Sequence, residues 1–430
     1  MRRTMGAATA CAVAVICLAA AGQAWGASKT VCKMGNCQFN TIQAAINAAS
    51  PGATITIGAG TYEENVLINK SLTLEGYGKK TVVEPAVSNP ACAGGSLCGG
   101  TASNIILVEA DNVTINNLVL EGDNPNLTSG TVVGGKDIDA RNGIITNHEA
   151  PGGFFTGLTV SKVHVSDVYL RGIYESAKGA FNFNHDLITN VRGSEASIGM
   201  FSFEAAGEYV DNKVTLTNDA ISANWSKGSK FIGNKITQSA SGIHTDNNGG
   251  SGGVADTIEG NKVSECTTNG YGVWVFAPYV DATLKGNKVK GCAVGLAAFG
   301  SQVSGQGPTF IENAVDGTGA ITSEPPTVGA YITTDLLGFG FGDVTATLTS
   351  NKIGNFGEGV FVTQSPGGQA NVTAHKNIIH GNGHGATGEA GTSVEAQENW
   401  WGCPQGPGVG ARCDKASGTV NFTPWLTAKP

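Results

Sequence analysis

The chain has 430 residues, of which 63 are Gly and only 14% are charged, and its formal net charge is −8. That length exceeds one ordinary hydrophobic core but suits a solenoid, which grows by adding coils along one axis. The acidic balance argues against nucleic acid as a partner and against simple electrostatic capture of a polyanion.

The first 27 residues predict a secretory signal peptide. Arg2 and Arg3 precede an apolar run that spans about residues 7–21, and small residues follow it. The run is too short and too early to remain as a transmembrane helix, and no later segment is long enough to span a bilayer. Without Arg2 and Arg3 the chain keeps 24 basic and 34 acidic residues, a net charge of −10. We therefore expect a mature chain over residues 28–430 that is secreted, periplasmic or held at the cell surface.

A triplet of Asn, Lys and Val or Ile recurs through the middle of the chain. Its copies begin at Asn212, Asn234, Asn261 and Asn287, which are 22, 27 and 26 residues apart. A period in the twenties, with short strand-like segments between turn residues, indicates the stacked coils of a parallel β-helix. The Asn suits a left-handed turn position and can stack its amide on the next coil. The Lys then points to water and the Val or Ile points inward.

The two ends of this solenoid need covers, because an open coil exposes apolar side chains and an unpaired strand edge. Residues 41–49 predict a short amphipathic helix that caps the N-terminal coil. Its apolar residues fall at helical spacing: Ile42, Ala45, Ile46 and Ala49. Residues 399–430 are the predicted C-terminal capping segment. Its three tryptophans favour a capping role over the alternative of sugar binding: Trp400, Trp401 and Trp425.

The segments at both ends resemble those of a known superfamily. The opening segment, residues 42–76, contains Ile42-Gln43-Ala44-Ala45-Ile46, and the end contains Asn399-Trp400-Trp401-Gly402-Cys403. Both resemble right-handed parallel β-helix repeat proteins of the pectate-lyase-like superfamily. The resemblance implies an all-β fold, a single right-handed parallel β-helix, but no particular activity, because many chemistries share that fold. The active-site motifs of polygalacturonases, pectin methylesterases and pectate lyases are mostly missing; Gly383-His384-Gly385 matches the Gly-His-Gly of polygalacturonases in letters only, without its partner motifs.

Eight cysteines follow the signal peptide, and they form four near pairs: Cys32 and Cys37, Cys92 and Cys98, Cys266 and Cys292, Cys403 and Cys413. Cys266 and Cys292 each lie five residues after a triplet Asn. They should therefore occupy the same position in adjacent coils, about 4.8 Å apart, which suits a disulfide. We expect no metal site among them, because no Cys-x2-Cys motif is present and the compartment is oxidising. Calcium binding stays open, although no loop has the spacing of a dedicated site, and the cofactor is unknown.

The Gly-aliphatic step of each coil predicts a row of outward side chains, since residues one and three positions after an inward residue face outward. This row, with Trp225 beside it, forms a predicted outward strip of aromatic residues around a polar centre: Tyr174, Phe201, Asn224, Trp225, His244, Asp246, Trp274 and Phe276. Rings stack on the apolar faces of sugars, while amides and carboxylates bind the hydroxyls. The alternative is that long loops fold over the strip and bury it.

His244 and Asp246 are the candidate catalytic residues. They share one strand face, about 6.6 Å apart along the chain, and a nearby carboxylate would raise the pKa of the imidazole and orient it. Such a pair could abstract the proton beside a uronate carboxyl group or protonate a leaving group. It could also be an ordinary surface pair.

The sequence thus predicts a secreted β-helix protein that binds an extracellular polysaccharide along the outward strip. Two classes remain open. One is a lyase, epimerase or glycoside hydrolase with His244 and Asp246 near its centre. The other is a non-catalytic carbohydrate-binding or cell-surface adhesion protein that uses the same aromatic residues.

Overall fold

The computed structural model describes residues 27–176, 179–247, 254–276, 282–300, 307–335, 337–338, 340 and 342–430. The predicted signal peptide, residues 1–27, lies outside the described residues apart from Ala27. None of the helices in the described ranges is both long and apolar enough to cross a membrane.

In the part of the chain that the structure describes, three long parallel sheets of fifteen, twelve and thirteen strands form the faces of one solenoid, and each regular coil adds one strand to each of them in the order A, B, C. Sheet A has fifteen strands: Lys29–Val31, Ala53–Ile57, Leu72–Glu75, Thr114–Asn116, Leu158–Ser161, Ala180–Asn184, Ala206–Val210, Lys230–Ile232, Thr257–Glu259, Thr283–Lys285, Thr309–Ile311, Val344–Thr349, Ala370–His375, Ser393–Glu395 and Val420–Asn421.

Sheet B has twelve strands: Gly60–Glu63, Thr81–Glu84, Val119–Glu121, His164–Val168, Leu187–Val191, Lys213–Thr217, Lys235–Thr237, Lys262–Ser264, Lys288–Lys290, Ala314–Asp316, Lys352–Gly354 and Ile378–Ile379. Sheet C has thirteen: Val66–Ile68, Asn104–Val108, Asn142–Thr146, Arg171–Ser176, Ile198–Phe203, Asp219–Ser226, Ser241–Asn247, Tyr271–Phe276, Val294–Phe299, Val328–Thr333, Glu358–Thr363, His384–Gly388 and Ala416–Gly418. A small hairpin, Val132–Val133 with Lys136–Asp137, and two short 3₁₀ turns, Gly78–Lys80 and Cys98–Gly100, complete the elements.

The core is one continuous column of inward side chains from all three sheets. In a single coil, Ile258 of sheet A, Val263 of sheet B and Val273 of sheet C are buried, while the flanking Lys262 is exposed. The predicted alternation around the triplet is therefore confirmed. Stacking of similar aliphatic residues from coil to coil removes their apolar surface from water along the whole axis.

The predicted stacking of Asn amides is confirmed at the turn between sheets A and B, but the left-handed conformation expected of the Asn belongs to the residue before it, such as Gly260. Asn261 is fully buried, and its Nδ2 donates hydrogen bonds to the Phe231 carbonyl oxygen and to Asn287 Oδ1, each at 2.9 Å. Its own Oδ1 accepts from the backbone N–H and the amide of Asn234. Every polar atom of the amide thus has a partner, which allows full burial. The same bonds join the remaining members: Asn212, Asn234, Asn287, Asn313, Asn351, Asn377 and Asn399.

A row of glycines lets the coils approach closely on sheet C. A Cβ atom at Gly272 would clash with the Gly295 carbonyl oxygen of the next coil and with the Val289 side chain. Gly242 stands in the same relation to Gly272. A side chain at these positions would force adjacent coils apart, so the Gly of each Gly-aliphatic step is a packing requirement.

The N-terminal helix spans Ile42–Ala48 and packs against the first coil through Ile42, Ala45 and Ile46. The Thr41 hydroxyl accepts the Ala44 N–H at 3.3 Å, and the Glu64 carboxylate accepts the N–H groups of the first two helical residues. A carboxylate at a helix N-terminus is favourable, because the unpaired N–H groups there carry partial positive charge.

At the other end, Trp401 is fully buried in the core and Trp400 is 8% exposed, while Trp425 packs against the core from outside. Four disulfides join the cysteines as the near pairs predicted. The Cα atoms of Cys266 and Cys292 are 4.8 Å apart, so this bond links equivalent positions of adjacent coils.

Asp186 occupies the first position of the Asn ladder and is an imperfect member of it. Its backbone N–H donates to Asn212 Oδ1, and its Oδ1 accepts the Val163 N–H at 2.8 Å, as a ladder Asn would do. Its Oδ2 replaces the amide nitrogen and is buried without a hydrogen-bond partner among the described residues. Burial raises the pKa of Asp186 well above its usual range, while the N–H bonds lower it. Compared with the unfolded chain, the folded protein therefore favours the protonated form of this carboxyl group.

We expect Asp186→Asn to raise the free energy of unfolding at pH 7 by about 1 to 3 kcal/mol, because an amide at this position can donate the missing hydrogen bonds. A raised pKa in the folded state means that the wild type loses stability as pH rises above about 4, the value for an unfolded Asp. The advantage of the variant should therefore grow between pH 4.5 and pH 8, as measured by chemical denaturation.

The matched control is Asn212→Asp, one coil further along. This variant should lower the free energy of unfolding, because it places a second carboxyl group in the ladder. The loss relative to wild type should grow as the pH rises, whereas Asp186→Asn gains over the same range. An advantage of Asp186→Asn that does not change with pH would contradict the assignment of a buried, protonated carboxyl group.

Candidate functional site

One row of outward residues follows the register of sheet C across its coils. The pairing of adjacent strands places its members side by side: Leu107, Ile145, Tyr174, Phe201, Ser222, His244, Trp274, Ala297, Tyr331, Phe361, Thr387 and Ser417. Directly opposed side chains on one face lie within contact distance. The row therefore forms a continuous surface along the solenoid axis.

The N-terminal end of the outward strip is buried. Tyr174 and Phe201 are each 6% exposed and belong to a second hydrophobic cluster outside the coil, with Leu97 of the Cys92–Cys98 loop as another member. Their rings lie 4.6 Å apart, and the Arg171 guanidinium lies over the Phe201 ring at 4.8 Å. A loop thus covers this end, which was the alternative to an open strip. Both residues, expected to contact sugar, instead hold the loop in the structure.

His244 lies in the polar centre between Ser222 and Trp274. Its Nδ1 is 3.1 Å from Ser222 Oγ, and its ring stacks on Trp274 with centroids 3.7 Å apart. Its Nε2 is buried with no hydrogen-bond partner in the described part of the chain. His244 is 6% exposed, and burial lowers its pKa to about 3. The imidazole is therefore neutral near pH 7.

The prediction that Asp246 raises the pKa of His244 is wrong. The pKa of His244 is lowered by burial and not raised by a carboxylate. Histidine–carboxylate ion pairs in the described residues are His185 with Asp211 and His384 with Glu358; His244 with Asp246 is not one of them. Spacing on the strand placed the two residues on one face but did not make them partners.

Asp246 has an environment that suits proton transfer. Burial raises its pKa to about 7, the backbone N–H of Trp225 lowers it by donating to Oδ1, and the charge of Asp256 raises it. The carboxyl group is therefore divided between its protonated and ionised forms near neutral pH. A group in that state can give or take a proton, which a fully ionised Asp does poorly as an acid.

A β-bulge aims Trp225 outward. The register between the strands Asp219–Ser226 and Ser241–Asn247 shifts, so that Asn224 and Trp225 lie opposite the single residue Asp246. Trp225 has φ of 53°, a left-handed conformation, and is 48% exposed. Strict alternation would have turned this ring inward. The bulge instead places it outside, where it stacks on Phe203 with centroids 5.7 Å apart.

Aromatic rings continue from the polar centre towards the C-terminus. Trp274 contacts Phe276 and Phe299. The ring of Phe299 lies 6.1 Å from that of Tyr331, which in turn lies 5.9 Å from that of Phe361. Phe299 is only 1% exposed and forms the floor. We define the accessible strip as the partly exposed outward aromatic residues of this region together with Asp246: Phe203, Trp225, Asp246, Trp274, Phe276, Tyr331 and Phe361.

Sequence reasoning missed Phe203 and Tyr331. Phe203 was missed because the coil was aligned on Ile198, whereas the structure pairs Met200 with Ile173. The signal was present, since Gly199-Met200 is the true Gly-aliphatic step. Tyr331 follows Gly329-Ala330, a weaker form of the same step.

A histidine–carboxylate pair does exist, but further along the same sheet. His384 Nδ1 is 2.8 Å from Glu358 Oε1, and Thr387 Oγ1 donates to Glu358 Oε2 at 2.7 Å. The two residues are opposed in adjacent coils, and each directly precedes the Gly of its coil. Alignment on that Gly would have predicted the contact.

Nothing in the described residues suggests a metal centre, since they contain no group of three or more His, Cys, Asp or Glu side chains placed to hold an ion. The arrangement on sheet C therefore offers aromatic surfaces, the hydroxyl and amide groups of Ser222 and Asn224, and one carboxyl group near its pKa. These groups can bind a polar ligand with flat apolar faces and exchange a proton with it.

A family model for the right handed beta helix region matches residues 219–400. A search of curated proteins finds no match. The matched segment contains most of the accessible strip, from Trp225 to Phe361.

Two solved structures are similar in fold. The A-module of mannuronan C-5 epimerase AlgE6 from Azotobacter vinelandii is 15% identical, with a TM-score of 0.54 over 90% of this chain and 94% of that chain. The catalytic unit of a thermostable GH87 α-1,3-glucanase from Streptomyces thermodiastaticus strain HF3-3 is 16% identical, with a TM-score of 0.55 over 90% of this chain and 66% of that chain. At these identities the likeness concerns the fold. The chain is a right-handed parallel β-helix, as the sequence predicted.

We expect the His244 imidazole to stay neutral from pH 8 down to about pH 4, because its buried, stacked position disfavours the charged form. The unfolded chain, with a His pKa of about 6.5, binds this proton more readily. The contribution of His244 to stability should therefore be complete above about pH 6.5 and fall as the pH is lowered towards about 3.

The measurement is a pH titration of ¹⁵N-histidine NMR signals, with His244 assigned through the variant His244→Gln. A midpoint between pH 6 and pH 7 for this residue would show that its ring is solvated and that the stack with Trp274 does not persist in solution.

Proposed function

We propose that the protein binds an extended polysaccharide along the accessible strip, with the sugar chain parallel to the solenoid axis. The observation behind this proposal is a line of aromatic rings along seven consecutive strands of sheet C, from Ile198–Phe203 to Glu358–Thr363, five of which contribute a partly exposed ring. At about 4.8 Å per strand, the line extends roughly 29 Å. Only a long ligand uses such a surface fully.

The chemistry of the accessible strip favours a sugar chain over a purely apolar ligand. Trp225 is 48% exposed, and a monomeric protein seldom leaves contiguous large rings in water without a use for them. Asn224 and Asp246 lie among the rings and offer hydrogen bonds to hydroxyl groups. Pyranose rings present both an apolar face and a polar edge, which this alternation matches. The names of the two similar structures, an epimerase of mannuronan and a glucanase, support a carbohydrate ligand.

Asp246 is the proposed acid–base group if the bound chain is processed. Of the seven residues of the accessible strip, it is the one carboxylic acid, and its pKa near 7 allows it to accept or donate a proton. His244 takes the role of a positioning residue, because its buried ring supports the indole of Trp274. The proposed reaction classes remain a lyase, an epimerase or a hydrolase. Asp246 alone would transfer the proton, and His244 would position Trp274.

A second candidate is carbohydrate binding without chemistry. The observation that favours it is that Asp246 and His244 form no ion pair among the described residues, since a lyase needs a base near a charge-stabilising partner. The aromatic surface would be unchanged in this case.

To test binding, the mature protein is screened on a glycan array, and the variant Trp225→Ala is compared with wild type on the hits by calorimetry. Loss of one stacking ring should weaken binding by about 1 to 3 kcal/mol, or roughly 5- to 150-fold in Kd. The thermal midpoint should change little, because a ring that is half exposed leaves no core cavity. The control is Tyr77→Ala, which removes a ring that is 61% exposed at a turn away from sheet C.

To test chemistry, products are assayed with Asp246→Asn on any polysaccharide that binds. Loss of turnover with unchanged affinity supports Asp246 as the acid–base group. If Glu358→Gln abolishes turnover and Asp246→Asn does not, the catalytic centre lies at the Glu358–His384 pair instead. Equal binding by wild type and Trp225→Ala on every hit would reject the accessible strip as the binding surface.

A further inference from the structure

The lysines of the repeated triplet form a row on the outer face of sheet B. Register places them side by side in four successive coils, and one more follows after Ala314: Lys213, Lys235, Lys262, Lys288 and Lys352. All five are exposed. Their backbones are spaced at about 4.8 Å, so that sheet B presents one positive charge per coil over most of this row. We name this row the lysine face.

The lysine face is unfavourable for folding by itself. Like charges directly opposed on neighbouring strands repel each other. Sheet A shows the alternative that the same fold allows, because Glu208 pairs with Lys230 at 2.8 Å and Glu259 with Lys285 at 3.9 Å in adjacent coils. Within the described residues, none of the five lysines of the lysine face has a carboxylate within 4.0 Å.

Hydroxyl groups and a shallow groove accompany these charges. The second outward row of sheet B places small hydroxyl side chains beside the lysines: Thr189, Thr215, Thr237 and Ser264. A groove of about 500 Å³ follows the face from Lys235 to His380, with Ala314 and Ile378 among its lining residues. The surface is therefore linear, cationic and able to form hydrogen bonds.

We propose that the lysine face binds a linear acidic polysaccharide that carries one anionic group on each sugar. One ammonium group per coil matches a ligand with one charge per repeat, and the hydroxyl row can bind its ring hydroxyls. The proposal concerns a different sheet from the accessible strip and does not rest on the proposed function.

The shape and composition of the lysine face disfavour other polyanions. Single-stranded nucleic acid is bound through aromatic residues that stack on its bases, and the described outward residues of these sheet B strands include none. Duplex readout needs a helix or ribbon that projects into a groove, whereas this face is a flat sheet. A membrane surface would call for large apolar side chains beside the basic ones.

The net charge of the chain does not oppose this binding. The sequence argument against polyanion capture used the total of −8, but the structure separates the charges so that five lysines share one face. Over distances longer than about 8 Å, salt screens the acidic residues elsewhere, and the local charge decides the attraction. The resulting binding should be weak and strongly dependent on salt.

The test measures binding of the mature protein to polygalacturonate by calorimetry in low salt. The triple variant Lys235→Gln, Lys262→Gln, Lys288→Gln should bind about tenfold more weakly, because three exposed charge contacts are lost. Wild-type binding should vanish in 1 M NaCl, where the Debye length is about 3 Å. Fully methyl-esterified polygalacturonate, which keeps the backbone but not the charge, should not bind to the lysine face.

A charge-matched control separates the lysine face from total charge. The triple variant Lys230→Gln, Lys285→Gln, Lys376→Gln also removes three positive charges, but from exposed lysines outside sheet B. It should bind polygalacturonate as wild type does. An equal loss in both triple variants would overturn the proposal, since only net charge would matter. A loss with Trp225→Ala and none with the sheet B variant would also overturn it, because the polyanion would then lie on the accessible strip. Binding of a sulfated glycan without binding of polygalacturonate would contradict the stated ligand chemistry.

Discussion

The short distance between successive coils, about 4.8 Å, governs this structure, because it brings each side chain against its equivalent in the next coil. A side chain that is repeated at one position must therefore pack against, or hydrogen-bond to, a side chain of the same type. Asn meets this condition fully, since an amide donates on one side and accepts on the other, and Asn261 does both while fully buried. A carboxylic acid cannot do so without a proton, and at Asp186, the first position of the ladder, one carboxyl oxygen has no hydrogen-bond partner among the described residues.

The same constraint gives the faces of the solenoid different characters. On sheet C, aromatic rings stack favourably, and His244 joins them as a neutral ring against Trp274. On sheet A, two lysines each pair with a glutamate of the adjacent coil, as Glu208 and Lys230 show. On sheet B, the lysines repeat without alternation, so that this face gains most from an external counter-charge. One backbone repeat thus gives an aromatic surface on sheet C, a surface with paired opposite charges on sheet A and a cationic surface on sheet B.

Sequence analysis predicted the features that repeat and missed those that interrupt the repeat. The Asn ladder and the Cys266–Cys292 bond follow from constant offsets, and the structure contains both. The sequence places Trp225 beside the predicted outward strip, but its outward position depends on a bulge, and a bulge adds one residue that no period can reveal. The covered state of Phe201 depends on Leu97, which reaches it from a loop about one hundred residues earlier in the chain. Burial of that kind is a property of tertiary packing and leaves no local pattern.

The candidate pair on sheet C shows how far residue spacing can support chemistry. Period-two alternation placed His244 and Asp246 on one face, but their proton affinities depend on neighbours from other coils: Trp274 above His244, and the Trp225 backbone beside Asp246. Burial moves the two pKa values in opposite directions, to about 3 and about 7, because it disfavours the cation of one group and the anion of the other. Near neutral pH the neutral imidazole then adds rigidity to the ring stack, and the carboxyl group alone remains able to exchange a proton. The environment of Asp246 therefore depends on the bulge, which holds the backbone N–H of Trp225 against its carboxyl group.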